Sequence, residues 1–159
     1  LLAFNTDADG FCFMARRAGV DFHGRKVLVL GSGGASRTAV ACARQLGARE
    51  VVVISRSGPD NYENLSRHTD ADIVVNTTPV GMERMPGCLI PDASWLHAGL
   101  TVSDVIYQPR ETQLLRMARE AGLKTFNGMY MLLHQGAASF RLWTGREMPI
   151  QQIREKYFQ

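Results

Sequence analysis

The run Val27-Leu28-Val29-Leu30 gives way at once to Gly31-Ser32-Gly33-Gly34-Ala35-Ser36, and no other stretch restricts the fold as tightly. A short, wholly apolar run ending in glycines fits a strand buried on both faces, as strands of parallel sheets are. The segment that follows, 35–46, is rich in small residues at helical spacing and stops at Gly47. A strand, a glycine turn and a helix in that order form the context a dinucleotide fingerprint requires. Gly31 permits the tight turn, Gly33 has no side chain to block a pyrophosphate, and Ser36 is small enough for close helix–strand packing. Amides at the start of the helix donate to phosphate, and its dipole favours an anion there. On the motif alone, a purely structural turn is the competing reading.

The remaining pattern repeats this alternation. Apolar spacing at Phe11, Met14, Ala15 and Ala18 predicts a helix ended by Gly19, with Asp7 or Asp9 as its cap. Strands are predicted at 51–54, 73–75, 100–106 and 125–126, and helices at 111–121, 129–143 and 150–158. Residues 57–61 and 85–92 read as long loops. Alternating strands and helices imply an α/β domain, a Rossmann-like doubly wound parallel sheet with helices on both faces. One crossover is short. Residues 57–72 leave too little room for a helix, a strand and a second helix, so one helix is predicted missing, with 62–65 at most a trimmed strand and turn.

The residues after the second predicted strand address the choice of nucleotide. NAD sites carry an Asp or Glu about 20 residues beyond the glycine loop to bind the ribose hydroxyls. Here the strand runs into Ser55-Arg56-Ser57. A guanidinium flanked by hydroxyls suits a 2′-phosphate, which argues for NADP over NAD and against a methyltransferase. An ordinary surface arginine is the alternative for Arg56.

Composition narrows the class. Charge is +3 net, with Lys and Arg scattered among Asp and Glu, which gives no nucleic-acid patch. No apolar run reaches the roughly 20 residues of a membrane helix, and 1–4 is too short for a signal peptide. Cys12, Cys42 and Cys88 are odd in number and contain no CxxC, so a reducing, cytoplasmic setting is expected and no metal site. Cys42 reads as buried filler.

Four further segments make the reading specific: Asn5-Thr6-Asp7-Ala8-Asp9-Gly10-Phe11; Asn76-Thr77-Thr78-Pro79-Val80-Gly81-Met82; Asp104-Val105-Ile106-Tyr107-Gln108-Pro109 with Thr112-Gln113-Leu114-Leu115; and Asn127-Gly128-Met129-Tyr130-Met131-Leu132-Leu133-His134-Gln135. With the glycine loop and Leu142-Trp143-Thr144-Gly145, they resemble the shikimate dehydrogenase family in order and spacing over essentially the whole chain. The resemblance implies an NADP-dependent oxidoreductase that interconverts 3-dehydroshikimate and shikimate. It matches Asp7 to the aspartate that pairs with a lysine at the reacting hydroxyl. Gly31, Ser32, Gly33, Gly34 and Ala35 match the diphosphate loop, and Ser55, Arg56 and Ser57 the 2′-phosphate clamp. Thr78, Val105, Gly128 and Met131 match positions at the cofactor cleft and nicotinamide; Tyr107 and Gln135 match polar contacts to substrate. Read alone, Asp7 is equally a helix cap and Gln135 a half-exposed helix residue. His134 receives no catalytic role.

The chain departs from the family pattern at Ser55, where Asn is usual, in the shortened crossover, and at Tyr130, where many members carry a small residue. The resemblance also implies an N-terminal α/β domain that supplies the catalytic lysine and grips the substrate carboxylate. No residue here matches that lysine. Residues 1–159 are therefore expected to be the NADP-binding domain with hinge helices in 1–20 and 129–159, inactive in isolation. Self-association, as in a homodimer, is expected from an exposed hinge face. A quinate/shikimate dehydrogenase, a non-catalytic NADP-binding module and, less well, a glutamyl-tRNA reductase are the alternatives.

Overall fold

The β-branched and leucine-rich runs assemble into a sheet of five parallel strands. They are β1 (Lys26–Leu30), β2 (Glu50–Ile54), β3 (Ile73–Asn76), β4 (Thr101–Asp104) and β5 (Lys124–Phe126), in the order β2-β1-β3-β4-β5. The helices are α1 (Asp7–Arg17), α2 (Gly34–Gln45), α3 (Gln113–Glu120), α4 (Met129–Thr144) and α5 (Ile150–Tyr157). This computed structural model describes residues 2–158; Leu1 and Gln159, the outer ends of the two expected hinge segments, lie outside the described residues.

Period-two alternation splits each central strand between two cores. Val27, Val29, Ile73 and Val75 face one way and pack with Phe11, Met14, Ala39, Cys42 and Met131 from α1, α2 and α4. Leu28, Leu30, Val74 and Val102 face the other way, against Leu114, Leu115 and Ala118 of α3 and against Leu65 and Trp95. The register places Leu28 beside Val74 and Val74 beside Val102, so each face is a continuous apolar surface. The sheet is covered on both sides, as a doubly wound domain requires.

The order reverses between β1 and β3, which places the topological switch point, the customary ligand crevice, at the carboxyl ends of those strands. The crossover from β2 to β3 contains neither an α-helix nor a strand; its one regular piece is the 3₁₀ turn Leu65–His68. The missing helix is as predicted, and 62–65 forms turn without a strand. Polar side chains organise this loop instead. Asn61 Oδ1 accepts from the Glu63 and Asn64 N–H groups, Asn64 Nδ2 donates to the Pro59 carbonyl, and His68 Nε2 lies 2.9 Å from Asp60 Oδ1.

Two local expectations change. Neither Asp7 nor Asp9 caps α1. Thr6 is the N-cap residue and makes no side-chain cap bond, so both acids sit in the first turn, where they complement the helix dipole. The predicted strand at 100–106 shortens to Thr101–Asp104, because the chain leaves the sheet where Asp104 turns back to bond the Ile106 N–H.

α1 and α4 pack closely because Gly10 allows it: a Cβ there would lie 2.4 Å from the Met131 carbonyl oxygen. Phe13 of α1 stacks on His134 with ring centroids 3.2 Å apart, and Thr6 Oγ1 meets Ser139 Oγ at 3.0 Å. His134 is thus a packing residue. Burial and the nearby Arg17 charge both hold its imidazole below the ordinary value. Cys42 is buried against α1, with its Sγ 3.6 Å from the Ala8 carbonyl; burial, Cys12 and Asp9 push its thiol up to about 12. Among the described residues no helix is long and apolar enough to cross a membrane.

Candidate nucleotide and substrate cleft

Gly31 leaves β1 with φ +108°, and its N–H donates to the Ile54 carbonyl, tying the turn to the neighbouring strand. A Cβ at Gly31 would lie 2.8 Å from Thr78 Cγ2, so the turn needs glycine for both backbone angle and space. Gly33 is the α2 N-cap. A Cβ at Gly33 or Gly34 would meet nothing within 4 Å, which makes the groove above the loop open. No side chain caps α2 and no acid occupies its first turn, so its leading amides face that groove uncompensated. Ser32, Gly33 and Gly34 are exposed, Ala35 is half-buried and Ser36 is buried against the sheet.

Ser55, Arg56 and Ser57 follow β2 in a tight loop in which the Ser55 N–H donates to the Asp60 carbonyl at 3.1 Å. Arg56 and Ser57 are exposed at its tip, and Ser55 is half-buried. Arg56 makes no ion pair among the described residues. Its charge is felt at Tyr62, whose phenol burial pushes up and Arg56 pulls back. An open glycine groove, free helix amides and an unpaired guanidinium at the second strand end fit the diphosphate and 2′-phosphate of NADP.

Beyond the switch point lies a polar anchor to which the sequence reading assigns no role. Asn76 and Asp104 end their strands in register and are buried. Asn76 Nδ2 donates to both Asp104 carboxylate oxygens, at 3.2 and 3.1 Å, and to the Val80 carbonyl at 3.0 Å. Asp104 Oδ1 also accepts from the Ile106 N–H at 3.0 Å, and Oδ2 from the Thr112 hydroxyl at 2.8 Å. Burial pushes the Asp104 carboxyl up to about 6 against the pull of these hydrogen bonds. One carboxylate thereby fixes the β3 loop, the β4 exit and the start of α3. An amide and a carboxylate closing two buried strands, at 73–76 and 101–104, are the signal that marks such a pair in sequence.

The anchor shapes the next wall. The Thr78 hydroxyl donates to Asn76 Oδ1 at 2.8 Å and accepts from the Val80 N–H at 3.1 Å, so it is occupied within its own loop. A hollow of about 330 Å³ lies between Thr77, Thr78 and Met82 on one side and Val105, Ile106 and Tyr107 on the other. Gly128 packs directly on the backbone of this wall: its N–H donates to the Ile106 carbonyl, and a Cβ would fall 1.8 Å from the Val105 oxygen. Asp7 stands exposed at the start of α1, and Gln135 is half-buried on α4 against Gly10, in the α1–α4 seam. Met131 is buried in the core under that seam. Among the described residues no hydrogen bond joins Asp7, Tyr107 and Gln135. Tyr130 of α4 faces α1 beside Phe13 and Arg17, with Arg154 of α5 also at its ring.

Comparison with known proteins fits this geometry. The family model described as the shikimate 5'-dehydrogenase C-terminal domain matches residues 128–156. Shikimate dehydrogenase (NADP(+)) of Methanosarcina mazei is 37% identical over 96% of this chain, and the chain spans 61% of that relative's length. Quinate/shikimate dehydrogenase of Shigella flexneri serotype 5b is 33% identical over 98% of the chain and 73% of its own length. The chain belongs to the shikimate dehydrogenase family. Shikimate 5-dehydrogenase of Listeria monocytogenes, solved in complex with shikimate and NAD, superposes with a TM-score of 0.85 at 32% identity, over 96% of this chain and 62% of that one. The shikimate dehydrogenase fold therefore covers nearly the whole chain.

Proposed function

We propose that this chain is the NADP(H)-binding domain of a shikimate dehydrogenase, which interconverts 3-dehydroshikimate and shikimate. The observation that carries the reading is the open Gly33 groove with unpaired Arg56 at the adjacent strand end. Gly31, Ser32, Gly33, Gly34 and Ala35 hold the diphosphate, and Ser55, Arg56 and Ser57 hold the 2′-phosphate. Thr78, Val105, Gly128 and Met131 shape the nicotinamide side. NADP(H), when bound, supplies the hydride chemistry; the protein orients it and handles a proton.

Asp7 takes the proton role with a lysine that lies outside residues 1–159, and Tyr107 and Gln135 position the substrate. Gln135 in the α1–α4 seam and Asp7 exposed at the start of α1 support an enzyme over a bare cofactor module, which needs neither polar side chain. Three free cysteines support a reducing, cytoplasmic setting. Exposed Leu142 and Trp143 at the end of α4 support self-association as a homodimer.

Turnover of the full-length gene product with NADP⁺ and shikimate tests the proposal. Asp7→Asn is expected to lower kcat by roughly 10²–10⁴ with little change in NADP⁺ affinity; unchanged turnover removes Asp7 from the mechanism. A quinate preference is the second reading, favoured by the Shigella relative, of which this chain covers the larger share. Comparing kcat/KM for quinate and shikimate separates the two.

A further inference from the structure

A second hollow, of about 390 Å³, opens beside β5, and neither nucleotide nor substrate role reaches it. Its floor is apolar, formed by buried Met14 and Leu115 and half-buried Phe126. Its rim is cationic. The Arg17 guanidinium, at the end of α1, lies 4.2 Å from the Tyr130 ring centroid, and that of Arg154, on α5, lies 5.3 Å from the same centroid. Arg110, from the β4–α3 loop, lines the hollow; it donates to the Phe158 carbonyl, and its own carbonyl accepts from Asn127 Nδ2 at 2.8 Å.

Two guanidiniums, of Arg17 and Arg154, thus meet at one ring, and a third, of Arg110, belongs to the lining of the same hollow. Among the described residues none of them has a carboxylate within ion-pair distance. The acid on this rim, Glu111, is engaged by Arg116 and Arg119 at 3.5 and 2.7 Å, and these arginines hold its carboxyl below the ordinary range. Cation–π contact with Tyr130 offsets part of such crowding. An anion between the arginines would relieve the rest. The volume lies within the range of small-molecule sites, and the apolar floor offers nothing to a bare inorganic ion.

We propose that this hollow binds a small organic carboxylate. Arg17 and Arg110 take the carboxylate, and the ligand's apolar body rests on Met14, Leu115 and Phe126. The ligand would tie α1 to the loop that carries Tyr107. The proposal stands independently of the dehydrogenase reading.

Calorimetric titration of the full-length protein with benzoate, and with benzyl alcohol as its uncharged counterpart, is the test. Benzoate is expected to bind with a Kd on the order of 1 mM or tighter, and benzyl alcohol far more weakly. The double variant Arg17→Gln/Arg110→Gln is expected to raise the benzoate Kd at least roughly tenfold. Arg56→Ala and Gln135→Ala, in the nucleotide groove and on the substrate side, should leave it unchanged. Both rim arginines are exposed, so the variant should fold; if it does not, Arg17→Gln alone is read the same way. The proposal is overturned if benzoate does not bind, if benzyl alcohol binds equally, if the arginine variants leave the Kd unmoved, or if inorganic phosphate binds as tightly as benzoate.

Discussion

Single residues in this domain divide by whether they serve the fold or the ligand, and Gly33 separates the two cleanly. Its φ is −81° and a Cβ there would meet nothing, so the fold does not need glycine at this position. A bound diphosphate does. Gly33→Ala is expected to melt within roughly 2–4 °C of the parent, the shift about 1 kcal/mol produces in a domain this size, and to raise the NADP⁺ Kd at least about tenfold. A parallel loss of stability would make the glycine structural. Asp104 illustrates the opposite case. Its carboxyl rises from an ordinary 3.8 to about 6 because it is buried. An acid with a raised native value binds its proton more tightly when folded. Its contribution is therefore most favourable below pH 3.8 and is lost as pH rises through about 6, a span worth on the order of 3 kcal/mol. Urea titrations from pH 4 to 7 are expected to show wild type losing about that much relative to Asp104→Asn. Parallel curves would show that the carboxylate is as comfortable folded as unfolded.

At the scale of elements, legibility followed periodicity. Strands β1 and β3 are built on the apolar runs 27–30 and 73–75, and α2 and α4 begin at glycine turns, so their type and place are read directly. The end of β4 could not, because what stops it is a side-chain bond from Asp104 to the Ile106 amide. The α1 cap differs for a similar reason: Asp7 and Asp9 are good capping residues, but the helix begins one residue too early for Asp7 and three too early for Asp9 to serve. The crossover at 57–72 was legible as a deficit of residues, but not as a structure, since its order comes from Asp60, Asn61, Asn64 and His68 bonding across the loop. This loop carries the Ser55–Ser57 clamp, and the Asp60–His68 pair closes it. Asp60→Ala strands the His68 ring in the interior. It is expected to cost about 1–3 kcal/mol and to lower Tm by several degrees, measured by calorimetry. No change in Tm would mean that the asparagines alone hold the crossover.

Across the whole molecule, the sheet order brings the carboxyl ends of β1, β2 and β3 to one crevice, and the glycine loop, Arg56 and the Asn76–Asp104 anchor all converge there. That convergence was readable in outline, because glycines and a basic residue stood at successive strand ends. The anchor itself was not, because buried asparagine and aspartate reveal their partnership only once the register of β3 and β4 is known. The association of Asp7 with Gln135 rests on family resemblance and not on spacing, since the two residues sit on helices at opposite ends of the chain. The central claim is that this crevice takes NADP through Arg56. Calorimetric titration of the chain with NADP⁺ and NAD⁺, repeated on Arg56→Ala, tests it most directly. The account predicts tighter NADP⁺ than NAD⁺ binding, with the difference removed by the substitution through a loss of about 1.5–3 kcal/mol. Equal binding of the two cofactors, or NADP⁺ binding that Arg56→Ala leaves intact, would contradict it.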